Sequence, residues 1–542
     1  MRFKLGCIIF IAAFHTAALG QSRFSPLERQ YLLSEEASIH SKDNDLHTSI
    51  QPYFIKETKG LYNQDSLRNG IKYSIQRKNF FTKVADNFVN NYLIPIDSGI
   101  VSIRATPLFD FELQYDPGKK QQYYRNTRGF LVYGDFGDKF SFYTGFYENQ
   151  ASFPDYINTF IDSNLVVPGQ GLTKSFKGNG GQDFSIPFGY VCYAPNRYVT
   201  VQFGQDKNFI GNGYRSLLRS DNSTNNPFFK IQTSFWHIKY MVMYEQFQDV
   251  RAEASTVLGK GYPKKYSTTH YLSWKINRSF ELGFFESIIW QAADSNGVRG
   301  FDWSYLNPVI FLRPTEAYNG SADNALMGIN VKYQILHNMY AYGQFILDDM
   351  KFDELKKPNS AYPQKYGFQL GGRYFNIAKI KGLAVQGEMN YVMPYTYSHR
   401  LSLQNYSHYD QSLAHPQNAN FIEYIGIIDY NKKRWSISNR LVYCTYGADQ
   451  TAATNFGHNI FADISQYPSN YYTNGHQKIL QGYKTTLFYN TFTAAYIINP
   501  KVNMRLEASF TLRSQKTADA KDTDKIIGFS FKTALFNKYY DF

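Results

Sequence analysis

Cysteine is nearly absent from this chain, with three among 542 residues, at positions 7, 192 and 444. Two distant thiols, once Cys7 leaves with an N-terminal leader, cannot form a disulfide framework, so Cys192 and Cys444 are expected to be buried or to face lipid. Beyond the leader no stretch approaches the roughly 20 continuous apolar residues of a membrane helix. Any crossing of a bilayer must therefore use strands. The formal charge is +13, yet Lys and Arg form no long basic run. That argues against nucleic acid and points to acidic polysaccharide or anionic lipid headgroups as partners. Catalytic spacing is missing too. Ser398-His399 and Ser407-His408-Tyr409-Asp410 place serine, histidine and aspartate side by side in loops, but adjacency is not triad geometry and there is no nucleophile elbow. His270, His399, His408 and His415 lack paired-ligand spacing, and the glycines of Phe209-Ile210-Gly211-Asn212-Gly213 lack the ending of a phosphate loop, so they are expected to shape a turn at a strand rim. No enzyme activity, metal or cofactor is expected.

Aromatics are abundant. The chain holds 46 Tyr and 45 Phe, while the mean hydropathy stays at -0.43. A thin apolar band girdled by aromatics around a polar interior has this composition. The residue order agrees: Val101, Ile103, Ala105, Pro107, Phe109, Phe111, Leu113 and Tyr115 alternate with Ser102, Arg104, Thr106, Asp110, Glu112 and Gln114, giving one greasy and one wet face. The beat returns from Ala325 to Ile335 and from Val502 to Leu512. It predicts about eighteen strands, an even number that closes into a barrel and removes the edges, the last over 526–540.

The connectors alternate as well. Gly137-Asp138, Pro195-Asn196, Asn277-Arg278, His337-Asn338, Asn431-Lys432 and Asn499-Pro500 are tight turns, whereas 150–185, 205–226, 248–266, 291–324, 349–363, 394–418 and 446–483 are long. Residues 99–542 therefore read as an all-β, transmembrane outer-membrane β-barrel of a Gram-negative bacterium, with short turns in the periplasm and long loops extracellular. In this register Ile329 faces lipid and Asn330 the lumen, where an arginine should be far milder. Tyr540 and Phe542 end the closing strand, placing a terminal aromatic where the barrel-assembly machinery reads one.

Arg2 and Lys4 precede an apolar run from Leu5 to Leu19 with small residues before Gln21, so residues 1–20 read as a signal peptide. Residues 21–98 behave differently from the barrel. Ser25-Pro26-Leu27-Glu28 has the form of a capping box, and Phe81, Val84, Phe88 and Tyr92 recur at helical spacing. A small α-helical bundle on the periplasmic side, against or under the barrel, is predicted; too little chain remains for a larger, plugged transporter.

Several segments resemble a known family: FYENQASFPDY at 146–156, VVPGQG at 166–171, FGQDKNFIGNGYRSLLRSDN at 203–222, RGFDWSYLNPVIFLRP at 299–314, PYTYSHR at 394–400, AHPQNANF at 414–421 and NKYYDF at 537–542. Across nearly the whole mature chain the sequence resembles the Wzi-like capsule-assembly outer-membrane proteins, in their RemB-like, gliding-motility-associated branch. The resemblance implies an eighteen-stranded barrel with a periplasmic helical bundle, and a surface lectin that helps hold or organise exported polysaccharide. On the residues themselves, rings that stack on sugars and guanidiniums that fork onto carboxylates select Tyr214, Arg215, Arg299, Trp303, Tyr397, His399 and Arg400 as polysaccharide-binding candidates. For Arg299 to Trp303 a membrane-interface aromatic with a satisfied ion pair is the equal alternative. A diffusion or uptake channel is the competing function, since about eighteen strands can enclose a pore.

Overall fold

A computed structural model describes residues 23–61, 73–176, 180–251, 261–294, 297–310, 323–349, 353, 364–449, 451, 454–464, 477–533 and 536–542. The expected signal peptide lies outside the described residues. Eighteen antiparallel strands close into a barrel. In chain order they are β1 Val101–Asp116, β2 Gln121–Phe136, β3 Phe140–Ser152, β4 Gly181–Tyr193, β5 Val199–Asp206 and β6 Asn226–Phe235. Next come β7 Ile238–Gln248, β8 Lys264–Asn277, β9 Phe280–Gln291, β10 Asn324–Leu336, β11 Met339–Asp349 and β12 Lys365–Phe375. The last six are β13 Leu383–Val392, β14 Phe421–Lys432, β15 Trp435–Ala448, β16 Tyr483–Asn499, β17 Met504–Lys516 and β18 Lys521–Lys532. The tight turns gather at one end of the barrel, here the short-turn end, and the long connectors at the other, the loop end.

Period-two patterning sets the two faces of this wall. Phe111, Leu113 and Tyr115 of β1 are exposed outward, as are Leu506, Phe510, Ile527 and Phe529 on the strands beside it. Ile329 is outward and Asn330 is fully buried inside. Cys192 and Cys444 are free and buried. Among the described residues no helix is long and apolar enough to cross a membrane.

Among the described residues, three pieces of chain enter the lumen beneath the 394–418 connector, which closes on them through Tyr397, Tyr406 and Leu413. The first is the N-terminal segment, with α1 (Arg29–Ile39). Of the segment expected against or under the barrel, Phe80–Asn90 lies against the outer wall, while the part over 23–61 lies inside the ring of strands: Glu28 pairs with Arg505 of β17 at 2.9 Å, Glu36 with Arg373 of β12 at 2.5 Å, and Ser49 Oγ donates to Glu281 of β9 at 2.6 Å. The capping box does not form. Glu28 is drawn away to Arg505, and Ser25 Oγ accepts from the Tyr53 amide. The second piece is the connector after β5, which dives inward, so that Phe209–Ile210 pairs with Ile50–Gln51 in mid-lumen.

The third piece is the C-terminal tail. The closing strand stops at Lys532, opposite Asp110, rather than running on to residue 540. Polar side chains explain the turn inward: Asn537, Lys538, Tyr539 and Asp541 each find a partner inside the lumen that lipid would deny them. Phe542 consequently ends not in a strand but against Tyr156 and Phe160 at the loop end.

Candidate functional site

The inward loop carries Tyr214 and Arg215 to the centre of the lumen. Arg215 stands between Glu423 (3.1 Å) and Asp541 (3.0 Å), and Tyr214 Oη donates to Asp541 at 2.8 Å. Burial pushes the Asp541 carboxyl up, but Arg215 and Arg440 outweigh it and hold the group below its ordinary value. Burial lowers His415, so its neutral ring donates from Nε2 to Glu423 (2.7 Å) and accepts the Gln417 amide at Nδ1. Glu388 accepts the backbone amides of both Tyr214 and Arg215. Gly213 owes its identity to this crowding rather than to a rim turn, because a Cβ there would lie 2.5 Å from Glu388 Oε2.

The seven expected binding residues do not converge. Tyr397 is fully buried, its hydroxyl donating to the Leu217 carbonyl at 2.8 Å and its amide to Asp348. His399 accepts the Leu401 amide and is lowered to about 4 by burial, so it is neutral at physiological pH. Arg400 is exposed. Arg299 is held by Asp302 at 2.6 Å and Asp323 at 2.7 Å. Its loop lies on the outward wall of the barrel, where Tyr240 and Tyr244 donate to the carbonyls of Pro308 and Leu306 and Phe301 packs on Trp290. Trp303, 76% exposed, thus points away from the outer wall, the placing of an interface aromatic with its ion pair satisfied. The candidate serines donate locally, Ser398 Oγ to the Tyr395 carbonyl and Ser407 Oγ to Asn405.

What the structure brings together at the loop end is a different set. A cleft of about 730 Å³ opens between α2 (Asp155–Asn164), the 410–418 segment, the 458–461 segment and the tops of β15 and β17. The first helix wall is fixed by Ile157 and Ile161, which pack into Phe153, Val167 and Phe184. This leaves Tyr156, Phe160, Thr159 and Ser163 along the cleft. Arg513 lies 4.1 Å over the Tyr156 ring, and Tyr446 stacks on His458 at 4.6 Å. Burial lowers His458 to about 4, leaving it an uncharged ring. Gln411, Gln417, Asn418 and Asn459 add amides, and Asp155 and Asp522 present half-exposed carboxylates. Half-buried rings beside amides suit the apolar faces and hydroxyls of sugars. In the sequence, Pro154-Asp155 followed by Ile157 and Ile161 was the available sign of the helix.

No protein-family model matches the chain, and no curated protein matches it. Among solved structures, Wzi of Escherichia coli, described as an outer-membrane protein involved in group 1 capsule assembly and a carbohydrate-binding β-barrel, aligns with a TM-score of 0.54. The alignment covers 94% of this chain and 99% of that one at 14% identity. The likeness is one of fold. It reaches the Wzi-like architecture and not a branch within it. OprD of Pseudomonas aeruginosa aligns over 81% of this chain and 96% of that one at 9% identity, with a TM-score of 0.41. OccAB2 of Acinetobacter baumannii gives 0.41 over 80% and 97% at 7% identity.

Proposed function

We propose that this protein is an outer-membrane lectin that binds surface polysaccharide, capsular in kind, across the loop-end cleft and helps attach or assemble it there. The loop end is then extracellular and the short-turn end periplasmic. The observation that carries the reading is the cleft itself: rings and amides line an open hollow at the loop end of a lumen crossed by protein. The fold shared with a carbohydrate-binding barrel supports it. Arg400 and Trp303, whose side chains are exposed, are proposed as outlying contacts for a long polymer, Trp303 from the membrane interface. Tyr214, Arg215, Arg299, Tyr397 and His399 are proposed to serve it through the scaffold that holds the loops. A stacked ring contributes about 0.5–1.5 kcal/mol, so Phe160→Ala with Phe461→Ala, the two phenylalanines that line the cleft from α2 and from the 458–461 segment, should weaken retention of cell-surface polysaccharide about tenfold. A pulldown with purified protein measures this. Full retention by the double variant would remove the cleft from the binding role, and failure of the native protein to retain any such polysaccharide would remove the function.

A further inference from the structure

One helix stands outside the barrel. It is α-helical over Phe80–Asn90, and its faces are inverted for a protein in water. Phe80, Phe81, Val84, Ala85 and Phe88 fall on one side, and Lys83, Asp86, Asn87 and Asn90 on the other. The polar side holds protein. Asp86 pairs with Arg77 at 2.5 Å, and Asn90 bonds both the amide and the carbonyl of Tyr73. The apolar side faces away from these partners. Phe88 stacks on Phe109 and joins Val502 and Met504 in a cluster on the outward wall, while Phe80 and Phe81 remain 73% and 80% exposed.

The position explains the inversion. At the closing seam only six residues of β18 pair with β1. Below them the free edge of β1 is taken by the short strand Ile94–Ser98, which pairs Val101 to Ala105. The helix lies beside this step, tied by Asn499 Nδ2 to the carbonyls of Phe88 and Asn91. At the same short-turn rim Phe235, Trp236, Trp435, Ile94 and Ile96 are exposed outward, an aromatic and aliphatic belt of the kind that sits at headgroup level. Phe80 and Phe81 continue that belt.

We infer that this helix is an interfacial membrane element, its phenylalanine face seated in the acyl-chain boundary of the leaflet at the short-turn end, where it covers the seam. Lipid is the occupant because the exposed face joins the barrel's outward apolar wall through Phe88 and Phe109, and because the face opposite it is polar, with Asp86 and Asn90 bonded to protein and Lys83 exposed.

Single-cysteine spin labelling tests this cleanly, since Cys192 and Cys444 are buried. The full chain carrying Phe81→Cys, Lys83→Cys or Ile329→Cys is reconstituted into phosphatidylethanolamine–phosphatidylglycerol vesicles, and each label is relaxed by oxygen and by a neutral nickel complex. The oxygen-to-nickel ratio at 81 should match that at the lipid-facing position 329 and exceed that at 83 several-fold. A nickel accessibility at 81 equal to that at 83 would place the face in water and overturn the inference. Exclusion of both reagents would mean that protein, such as a second copy of the chain, covers it, which overturns it equally. Should Phe81→Cys fail to yield heat-modifiable barrel, Phe80→Cys carries the same comparison.

Discussion

Two loop arginines of similar sequence surroundings meet opposite fates. Arg215 is buried between Glu423 and Asp541, whereas Arg400 reaches solvent. Removing a buried ion-pair partner strands the charges it served, so Arg215→Ala should cost about 3–5 kcal/mol. Arg400→Ala should stay within about 0.5 kcal/mol. Denaturant titration of the heat-modifiable form distinguishes them. Asp410 offers a test by pH. Burial, with Asp249 close by, pushes its carboxyl up to about 7, because Arg251, bound to Asp249, reaches Asp410 only at 4.0 Å. Between the ordinary carboxylate range and pH 7 the unfolded chain loses this proton while the folded one keeps it, so stability falls as pH rises through that window. Asp410→Asn should therefore gain about 1–3 kcal/mol above pH 7 and nothing near pH 4. Equal effects at both values would disprove the linkage.

At the level of elements, the wall was written in the sequence and the filling was not. Alternation in β1, β10 and β17 is a local signal, because each side chain meets either lipid or lumen according to parity alone. Ile329→Arg should accordingly cost about 2–4 kcal/mol. The companion expectation, that arginine is mild at Asn330, fails on packing: the Asn330 side chain donates to Asn212 and accepts from Gln344, leaving no open water on the lumen side. Both variants should reduce folded barrel, measured by gel mobility before and after heating. The tail defied the pattern for a related reason. Ile526 to Lys532 alternates like a strand, and what turns the chain inward at Thr533 is the set of partners waiting there, Phe109 at the wall and Asp221, Arg215 and Arg440 within. Such partners are distant in sequence and carry no periodicity. Of the candidate site, aromatic-rich loops were legible as a class, but which rings reach the surface depends on the inward loop, and so the cleft of α2, Phe461 and His458 was missed.

For the whole molecule, the competing functions differ in what the lumen must hold. Eighteen strands can enclose a pore, but the N-terminal segment, the inward loop and the tail occupy this one, bound to the wall by Arg505, Arg373, Glu281 and Glu423. In planar bilayers the purified protein should show no stepwise conductance, and discrete openings of constant size would restore the channel reading.

The pairing of Ile50 with Ile210 has a further consequence. Both residues are almost fully buried, with Gly211 N donating to Ser49 O and Ile210 N to Arg219 O beside them. In an empty barrel the slowest amide exchange belongs to the wall, since the interior is water. Here solvent must dislodge the contents before it reaches these central amides, so deuterium should arrive at Ile210 and Gly211 later than at the wall near the rims. The short segment in the middle, rather than the long strands around it, would keep the time of the molecule's slowest opening.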